Sequence, residues 1–111
     1  MPSFIDYFKD LSTDDKIKIA YYTNISKVLD FLSRDPDNGV RRCVAKNPHT
    51  PSEVLETLSK DESIGVRFNA AQNPNTTRET LIHLSKDPDS YTRRWALRKL
   101  YLKTIEVTNI C

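Results

Sequence analysis

Apolar residues recur along this chain with the spacing that α-helices require. Val54, Leu55 and Leu58 lie three or four positions apart, so they form one apolar stripe on a helix. Leu81 and Leu84 repeat part of that stripe 26 residues later. No stretch alternates apolar and polar residues with the period of two that is typical of a β-strand. The pattern therefore predicts an all-α protein.

One segment of the sequence occurs twice in succession. When residues 35–60 are aligned with residues 61–86, 13 of the 26 positions are identical. A repeat of this length is typical of helical units that stack in a row, and the match weakens at both ends, as terminal units do. We therefore expect a single helical-repeat domain over residues 1–111, built from about 3.5 repeats. Its parts are a degenerate unit at 1–34, full repeats at 35–60 and 61–86, and a partial repeat with a capping helix at 87–111.

The second helix of each full repeat follows a threonine. Thr50 and Thr76 are each followed three residues later by a glutamate, Glu53 or Glu79. This spacing predicts a capping box, in which the threonine caps the helix and the glutamate reaches back to it. Pro51 would then occupy the first helical position, where its missing N–H costs nothing. We expect helices of about ten residues that run to the end of each repeat.

The first helix of each full repeat is predicted to be shorter, over residues 39–46 and 65–72. Each one ends at an Asn-Pro pair that begins with Asn47 or Asn73. Proline disfavours the helical conformation in the residue before it, so these pairs mark the helix ends. The glycine that opens each helix is expected where the chain bends. Sequence alone leaves open whether these helices are α or 3₁₀.

The terminal units keep only part of the pattern. A helix is expected from about Thr13 and a second from about Ser26. The segment Tyr91–Val107 lacks the Asn-Pro stop, so its helix should run on and cover the last open face with Trp95, Leu100 and Tyr101.

The repeat resembles the variant leucine-rich repeat, a relative of HEAT-like repeats. Between Asp35 and Leu58 the chain has the pattern Asp-Pro-Asp-x-x-Val-Arg-x-x-Val-Ala-x-Asn-Pro-x-Thr-Pro-x-x-x-Leu-x-x-Leu, and the likeness extends over about Asn24–Leu97. This resemblance implies a short right-handed α-solenoid that alternates an α-helix with a short 3₁₀-like helix. Some proteins with this repeat hold an iron–sulfur cluster on cysteines outside the array. This chain has no such cysteine cluster, so that feature is not expected.

A helical wheel divides the first helix into an inner and an outer arc. Val40, Arg41, Val44 and Ala45 fall within one arc of about 140°, and the matching positions of the later units keep nearly the same character. Positions that stay constant between units are the ones that stacking requires. This arc, which includes Leu97 in the last unit, is therefore expected to face the interior. The opposite arc varies between units, so we expect it to face solvent and to bind a partner through Arg42, Lys46, Phe68, Gln72, Arg94, Trp95 and Arg98.

Three polar columns recur every 26 residues. An arginine column could read phosphates, but beside an aspartate column it is better explained as a ladder of ion pairs between repeats, to which the guanidinium group is suited. An asparagine column is expected to cap turns with its side chains. The columns are Asp35, Asp61 and Asp87; Arg41, Arg67 and Arg93; and Asn47 and Asn73.

The outer arc mixes cations with flat aromatic surface. Such a surface fits another protein, in particular an acidic one, because Trp, Phe and Arg are common at the centres of interfaces. It also fits a nucleic-acid backbone with a stacked base. Alternatively, Trp95 is folded under as part of the C-terminal cap. The leading interpretation is a non-enzymatic protein-binding scaffold, and the alternative is a HEAT-like nucleic-acid-binding protein.

Composition adds little support for other functions. The net charge of +2 is too small to indicate nucleic acid by itself. Cys43 and Cys111 belong to no metal-binding pattern and are expected to be free thiols, and His49 and His83 have no nucleophile at a recognisable spacing. We therefore expect no metal, no cofactor and no catalytic residue. A base-excision enzyme is the weakest alternative, since no carboxylate pocket is visible.

The hydropathy of the chain and its N-terminal sequence indicate the cellular location that we expect. No apolar run approaches the ~20 residues that span a bilayer, and the N-terminus lacks the layout of a secretory signal. A cytoplasmic protein without membrane contact is expected, and its oligomeric state is left open.

Overall fold

Eight α-helices and no β-strand make up the part of the chain that the structure describes. This computed structural model describes the backbone of residues 3–108 and the side chains of residues 3–102. The predicted all-α class is confirmed, and within the described range none of the helices has the length and apolarity to cross a bilayer. The helices are α1 (Phe4–Lys9), α2 (Thr13–Tyr22), α3 (Ser26–Leu32), α4 (Asn38–Lys46), α5 (Ser52–Leu58), α6 (Ile64–Gln72), α7 (Arg78–Leu84) and α8 (Ser90–Thr108).

The helices with even numbers pack side by side in chain order: α2 against α4, α4 against α6, and α6 against α8. Their contacting faces carry small or branched apolar residues, and Val40, Val44 and Ala70 are completely buried there. Leu55 on α5 and Leu81 on α7 are completely buried as well. The inner arc predicted from the helical wheel is therefore buried in α4.

The relative lengths of the two helices in each repeat were predicted wrongly. The first helices, α4 and α6, are nine-residue α-helices, so the 3₁₀-like helix that the resemblance implied does not occur at these positions. The second helices, α5 and α7, have seven residues instead of ten and end at Leu58 and Leu84. Each is followed by a turn in which a serine hydroxyl, that of Ser59 or Ser85, donates back to a helix carbonyl.

The two capping boxes predicted at Thr50 and Thr76 are not formed. α5 begins after Pro51, which cannot cap with a side chain, and α7 is capped by Thr77, whose hydroxyl accepts from the Thr80 N–H. Thr50 instead donates its hydroxyl to the carbonyl of Val44, 2.6 Å away, at the end of the preceding helix. Thr76 makes the matching bond to an alanine carbonyl in α6. Both threonines therefore satisfy the open carbonyls at a helix C-terminus, a need that competes with N-capping.

The N-terminal unit contains one helix that the hydrophobic pattern did not predict. α2 and α3 begin as expected, but α1 precedes them and opens with a capping box between Ser3 and Asp6. Phe4 and Phe8 on α1 pack against Phe31 of α3, with ring centroids 5.3 Å apart in each pair. This aromatic cluster joins α1 to the hydrophobic core.

α8 runs on past the expected stop, as predicted, through 19 residues. Trp95 and Leu100 are half-buried and pack against the core beside α7, as expected for a cap. Leu97 and Tyr101 were placed wrongly, because their exposed fractions are 54% and 66%. No other helix of the described residues covers these two side chains. Cys111 lies outside the described residues.

Removing a buried leucine should therefore cost far more stability than removing an exposed one. We expect Leu55→Ala and Leu81→Ala each to lower the free energy of unfolding by about 2–5 kcal/mol, because both leave a void in the core. Leu97→Ala is the matched control and should change it by less than about 0.5 kcal/mol. Denaturant titrations measure all three, and equal losses would contradict the assigned core.

The buried threonine gives a second test. Thr50→Val keeps the shape of the side chain but removes the hydroxyl bond to the Val44 carbonyl, which then keeps only the 3.1 Å contact from the Asn47 N–H, so we expect a loss of about 0.5–1.5 kcal/mol. Thr57→Val is the control, since that hydroxyl makes only a long bond at an exposed position. Thermal and denaturant unfolding would both report the difference, and no loss at Thr50 would show that the bond does not stabilise the fold.

Candidate binding surface

The arginine and aspartate columns form ion pairs between successive repeats. Nε of Arg41 lies 2.8 Å from a carboxylate oxygen of Asp61, and Arg67 makes the same contact with Asp87 at the same distance. The hydrogen bond that Arg41 donates to Asp61 is the main cause that raises the pKa of Arg41, so this guanidinium group stays charged. Because these carboxylates occupy both guanidinium groups, neither arginine is available to read phosphates.

The ladder begins with a lysine that sequence reasoning missed. Lys16 donates its ammonium group to Asp35 across 2.7 Å, and so takes the place of an arginine in the first unit. At the other end, Arg93 donates to the carbonyls of Asp87 and Pro88 but forms no ion pair among the described residues. Each of the three aspartates therefore has one cationic partner in the column. Arg93, the last arginine, is ion-paired with no carboxylate among the described residues.

The asparagine column crosses between units instead of serving only its own turn. The side-chain N–H2 group of Asn73 donates to the carbonyls of Ala45 and Asn47 in the preceding repeat, over 2.7 and 2.8 Å. Asn47 reaches back in the same way to Ala20 and Thr23. Each asparagine oxygen also accepts the backbone N–H two residues ahead, which is the predicted turn contact.

Lys99 continues this column in the last unit. It stands 26 residues after Asn73, and its ammonium group donates to the carbonyls of Gln72 and Asn73 over 2.7 and 2.9 Å. The sequence showed only that the Asn-Pro stop is missing here. A lysine at this position keeps the contact with the preceding repeat while the helix runs on.

We define the outer strip as the exposed side of α4, α6 and α8 that carries the predicted partner-binding residues. The four cations of the strip are exposed, and its aromatic and amide side chains are half-buried. None of these cations forms an ion pair within the described residues, and no acidic residue belongs to the strip. The strip consists of Arg42 and Lys46 on α4, Phe68 and Gln72 on α6, and Arg94, Trp95 and Arg98 on α8.

Gly65 makes room for the first cation of the strip. The sequence placed this glycine at a bend, but it lies in the first turn of α6 and has no positive φ. A Cβ atom at this position would lie 2.8 Å from Nε of Arg42, so the glycine lets that side chain lie across the start of α6. The side chain of Asn69 also donates to the Arg42 carbonyl, over 3.1 Å, and ties the two helices together.

A shallow cleft on α8 holds the aromatic part of the strip. Tyr91, Arg94, Trp95 and Arg98 line it, and its volume is about 250 Å³. The guanidinium group of Arg98 lies 5.3 Å from the centre of the Trp95 ring. Trp95 thus contributes both to the C-terminal cap and to the cleft. Tyr91 was missed as a cleft residue, although it lies four positions before Trp95 and hence on the same side of a helix.

A second hollow lies next to Lys46. Tyr21 and Tyr22 at the end of α2 form one wall, and the turn with His49 forms another; the volume is about 340 Å³. α2 has ten residues, one more than α4, and Tyr22 is 79% exposed. The hydrophobic pattern did not predict this hollow, because a tyrosine in a helix is buried in a core as often as it lines a surface hollow.

The remaining reactive side chains are not arranged for catalysis. Burial raises the pKa of the Cys43 thiol, and the nearby charges of Arg42 and Lys46 only partly oppose this effect. His49 and His83 are exposed. In the described part of the chain, no three His, Cys, Asp or Glu side chains come close enough together to hold a metal ion.

The central repeat matches a known family. The family model described as leucine rich repeat variant matches residues 39–63, which include α5 and most of α4. The resemblance seen in the sequence is confirmed over these residues, and the matched segment is a helical repeat module. Neither the curated proteins nor the solved structures provide a match to the chain.

Replacing an arginine of the ladder should lower the free energy of unfolding much more than replacing an arginine of the outer strip. Arg67→Ala leaves the carboxylate of Asp87 without its partner, and this side chain is only 4% exposed, so we expect a loss of about 3 kcal/mol. Arg94→Ala is the matched control and should cost less than about 0.5 kcal/mol, because that side chain is exposed. Similar losses in chemical denaturation would argue against the division between ladder and strip.

Proposed function

We propose that this chain is a non-enzymatic binding module, a short right-handed helical solenoid that forms one domain and presents its outer strip to an acidic segment of another protein. The family match supports a helical repeat module. The stacking of the even-numbered helices in chain order and the ladders that recur every 26 residues support the solenoid.

The observation that carries this proposal is the charge of the outer strip. Arg42, Lys46, Arg94 and Arg98 are exposed on one side of the helix layer, and none of the four is ion-paired with a carboxylate among the described residues. An acidic partner would supply the missing charge and would be steered to the strip by the field of the four cations. The ladder arginines Arg41 and Arg67 are already paired with aspartates, whereas the four strip cations form no ion pair among the described residues and can meet an external anion.

The strip also provides apolar anchors. Trp95 and Phe68 are half-buried, so their rings are held in place by the fold while one side stays accessible. Aromatic and arginine side chains dominate the energetics of many protein interfaces, because they bury much area at a small entropic cost. An acidic segment with one or two apolar side chains would therefore suit the strip better than a purely acidic one.

The ladders make the strip rigid before binding. Asn73 and the ion pair of Arg67 fix α6 to its neighbours, and Asn69 fixes it to the Arg42 carbonyl. A surface that is already ordered loses less conformational entropy when it binds. This rigidity favours recognition of an extended segment by the fixed spacing of the helices.

Nucleic acid is the second candidate, supported by the same four cations next to aromatic rings. It ranks lower because Arg98 lies over the Trp95 ring and competes with a base for that surface. Phe68 and Gln72 also separate the cations of α4 from those of α8, whereas a backbone groove needs a continuous positive path.

Selection from a random peptide library would test the proposal directly. Wild-type protein should enrich acidic peptides that carry an apolar residue, and Arg42→Glu or Arg94→Glu should weaken the best peptide by at least about tenfold, since the anion then meets a like charge. Arg78→Glu changes the charge equally at an exposed position of α7 and should leave the affinity unaltered. Neutral or basic peptides, or equal losses in all three variants, would refute the acidic ligand.

A salt titration separates the two candidates. Binding of single-stranded DNA or RNA oligonucleotides should be undetectable near physiological salt in fluorescence anisotropy. Tight binding that weakens steeply as salt rises and is lost on Arg98→Ala would instead establish the nucleic-acid function, because each released phosphate counterion contributes to the slope.

A further inference from the structure

The arginine ladder is unfinished at its C-terminal end. In each complete step, Nη1 of the arginine holds the two carbonyls before its own helix, and Nε turns to the aspartate of the next repeat, as in Arg41 and Arg67. Arg93 makes the first half of this arrangement, with Nη1 2.8 Å from the Asp87 carbonyl. Its Nε and Nη2 form no ion pair or hydrogen bond in the described part of the chain, and the Asp89 carboxylate, which lies close enough to feel the charge of Arg93, is instead hydrogen-bonded to Thr92. The guanidinium group thus already binds the two carbonyls as Arg41 and Arg67 do, and its other donors could take an aspartate in the same way.

The helix face around Arg93 has the character of an internal repeat contact. Leu97 and Tyr101 follow Arg93 at intervals of four residues, so the three side chains share one side of α8. In the preceding unit Arg67 faces the next repeat, and Ala71, four residues later, is completely buried. Leu97 stands at the position of Ala71 but is 54% exposed. This side of α8 therefore has the character of a stacking surface, and no helix of the described range covers it.

The N-terminal end carries the matching half. Asp35 and Asp61 stand two residues before the N-cap of α4 and of α6, and Asp10 stands two residues before Ser12, the N-cap of α2. Asp10 is exposed, and its carboxylate forms no ion pair or hydrogen bond in the described structure. Just before it, α1 exposes Ile5 and Tyr7, each to 61%. Asp10 is therefore an aspartate without an ion pair in the described structure, and it lies next to exposed apolar residues on the N-terminal side of α2.

We propose that copies of this chain associate head to tail, with Asp10 of one copy on Arg93 of the next. The incoming α2 would stack on α8 as a fifth member of the helix layer. The incoming α1, which precedes Asp10 as α5 precedes Asp61, would lie beside the incoming α2 as α5 lies beside α6. Leu97 and Tyr101 would be covered by the incoming helices, as Ala71 is covered by α8.

This contact differs in kind from a symmetric dimer. It joins two different surfaces of the same chain, so each added copy offers a new open end and the series does not close at two. It also leaves the outer strip free, since Arg94 and Arg98 lie on another side of α8. Self-association and binding through the strip are therefore independent and can fail separately.

Sedimentation velocity tests the proposal, from about 1 µM to about 1 mM, which spans the affinities of small protein interfaces. Wild-type protein should form dimers and longer species as concentration rises, and added salt should weaken them. Arg93→Glu and Asp10→Arg should each reduce the association constant by at least about tenfold, because each places like charges together. Lys60→Glu, an exposed change in a central turn, is the control and should associate as the wild type does.

Mixing the two variants gives the decisive measurement. Arg93→Glu retains a normal N-terminal end and Asp10→Arg a normal C-terminal end, so an equimolar mixture should associate although neither variant does alone. A doubly reversed chain with both changes should regain self-association. Circular dichroism confirms that the variants are folded. A wild type that is monomeric throughout, or folded variants that fail to complement each other, would overturn the proposal.

Discussion

The fold depends on hydrogen bonds that no single repeat can complete by itself. Arg41 holds two carbonyls of its own unit and the aspartate of the next, and Asn73 reaches into the repeat before it. Each unit contains only two short helices, and isolated helices of seven or nine residues are not stable in water. Stacking buries their apolar sides, but the polar contacts fix the register. Leucines alone would tolerate a shift along the neighbouring helix, whereas a guanidinium group that donates two hydrogen bonds to the same aspartate does not.

Because burial and register both depend on one side of the first helices, the residues on the other side can vary between repeats. The ladders and the buried valines and alanines occupy one side of each first helix, and there the two full repeats are nearly identical. The other side contributes little to stacking, so Arg42, Phe68 and Arg94 can replace one another without disturbing the core. A partner would meet a fixed backbone with freely chosen side chains, which is how repeat proteins generally acquire specificity.

The hydrophobic periodicity predicted the all-α class and the 26-residue spacing predicted the polar columns, whereas local motifs predicted less. The 26-residue spacing identified the ladder residues, because partners in a stack must recur with the repeat. The capping boxes failed because Thr50-Pro51-Ser52-Glu53 contains a threonine that fits two roles, and only the preceding helix decides between them. Sequence could not show that the Val44 carbonyl lies within reach of the Thr50 hydroxyl. The α8 cleft was predicted only in part. Tyr91 was missed because the matching positions in the two full repeats are glycines, Gly39 and Gly65, which have no side chain to indicate a binding role.

The terminal units show which contacts the fold preserves when the motif decays. Lys16 replaces an arginine where α2 has one residue more than α4, and Lys99 replaces an asparagine where the helix does not stop. In both cases a long, flexible ammonium group reaches the same kind of acceptor despite the altered backbone, as lysine can. The contacts are thus retained while the residues change. Asp10 and Arg93 are the exceptions, and they lie at opposite ends with opposite charge. Because the other rungs survive even in divergent units, two unpaired halves of one rung indicate a contact completed between molecules.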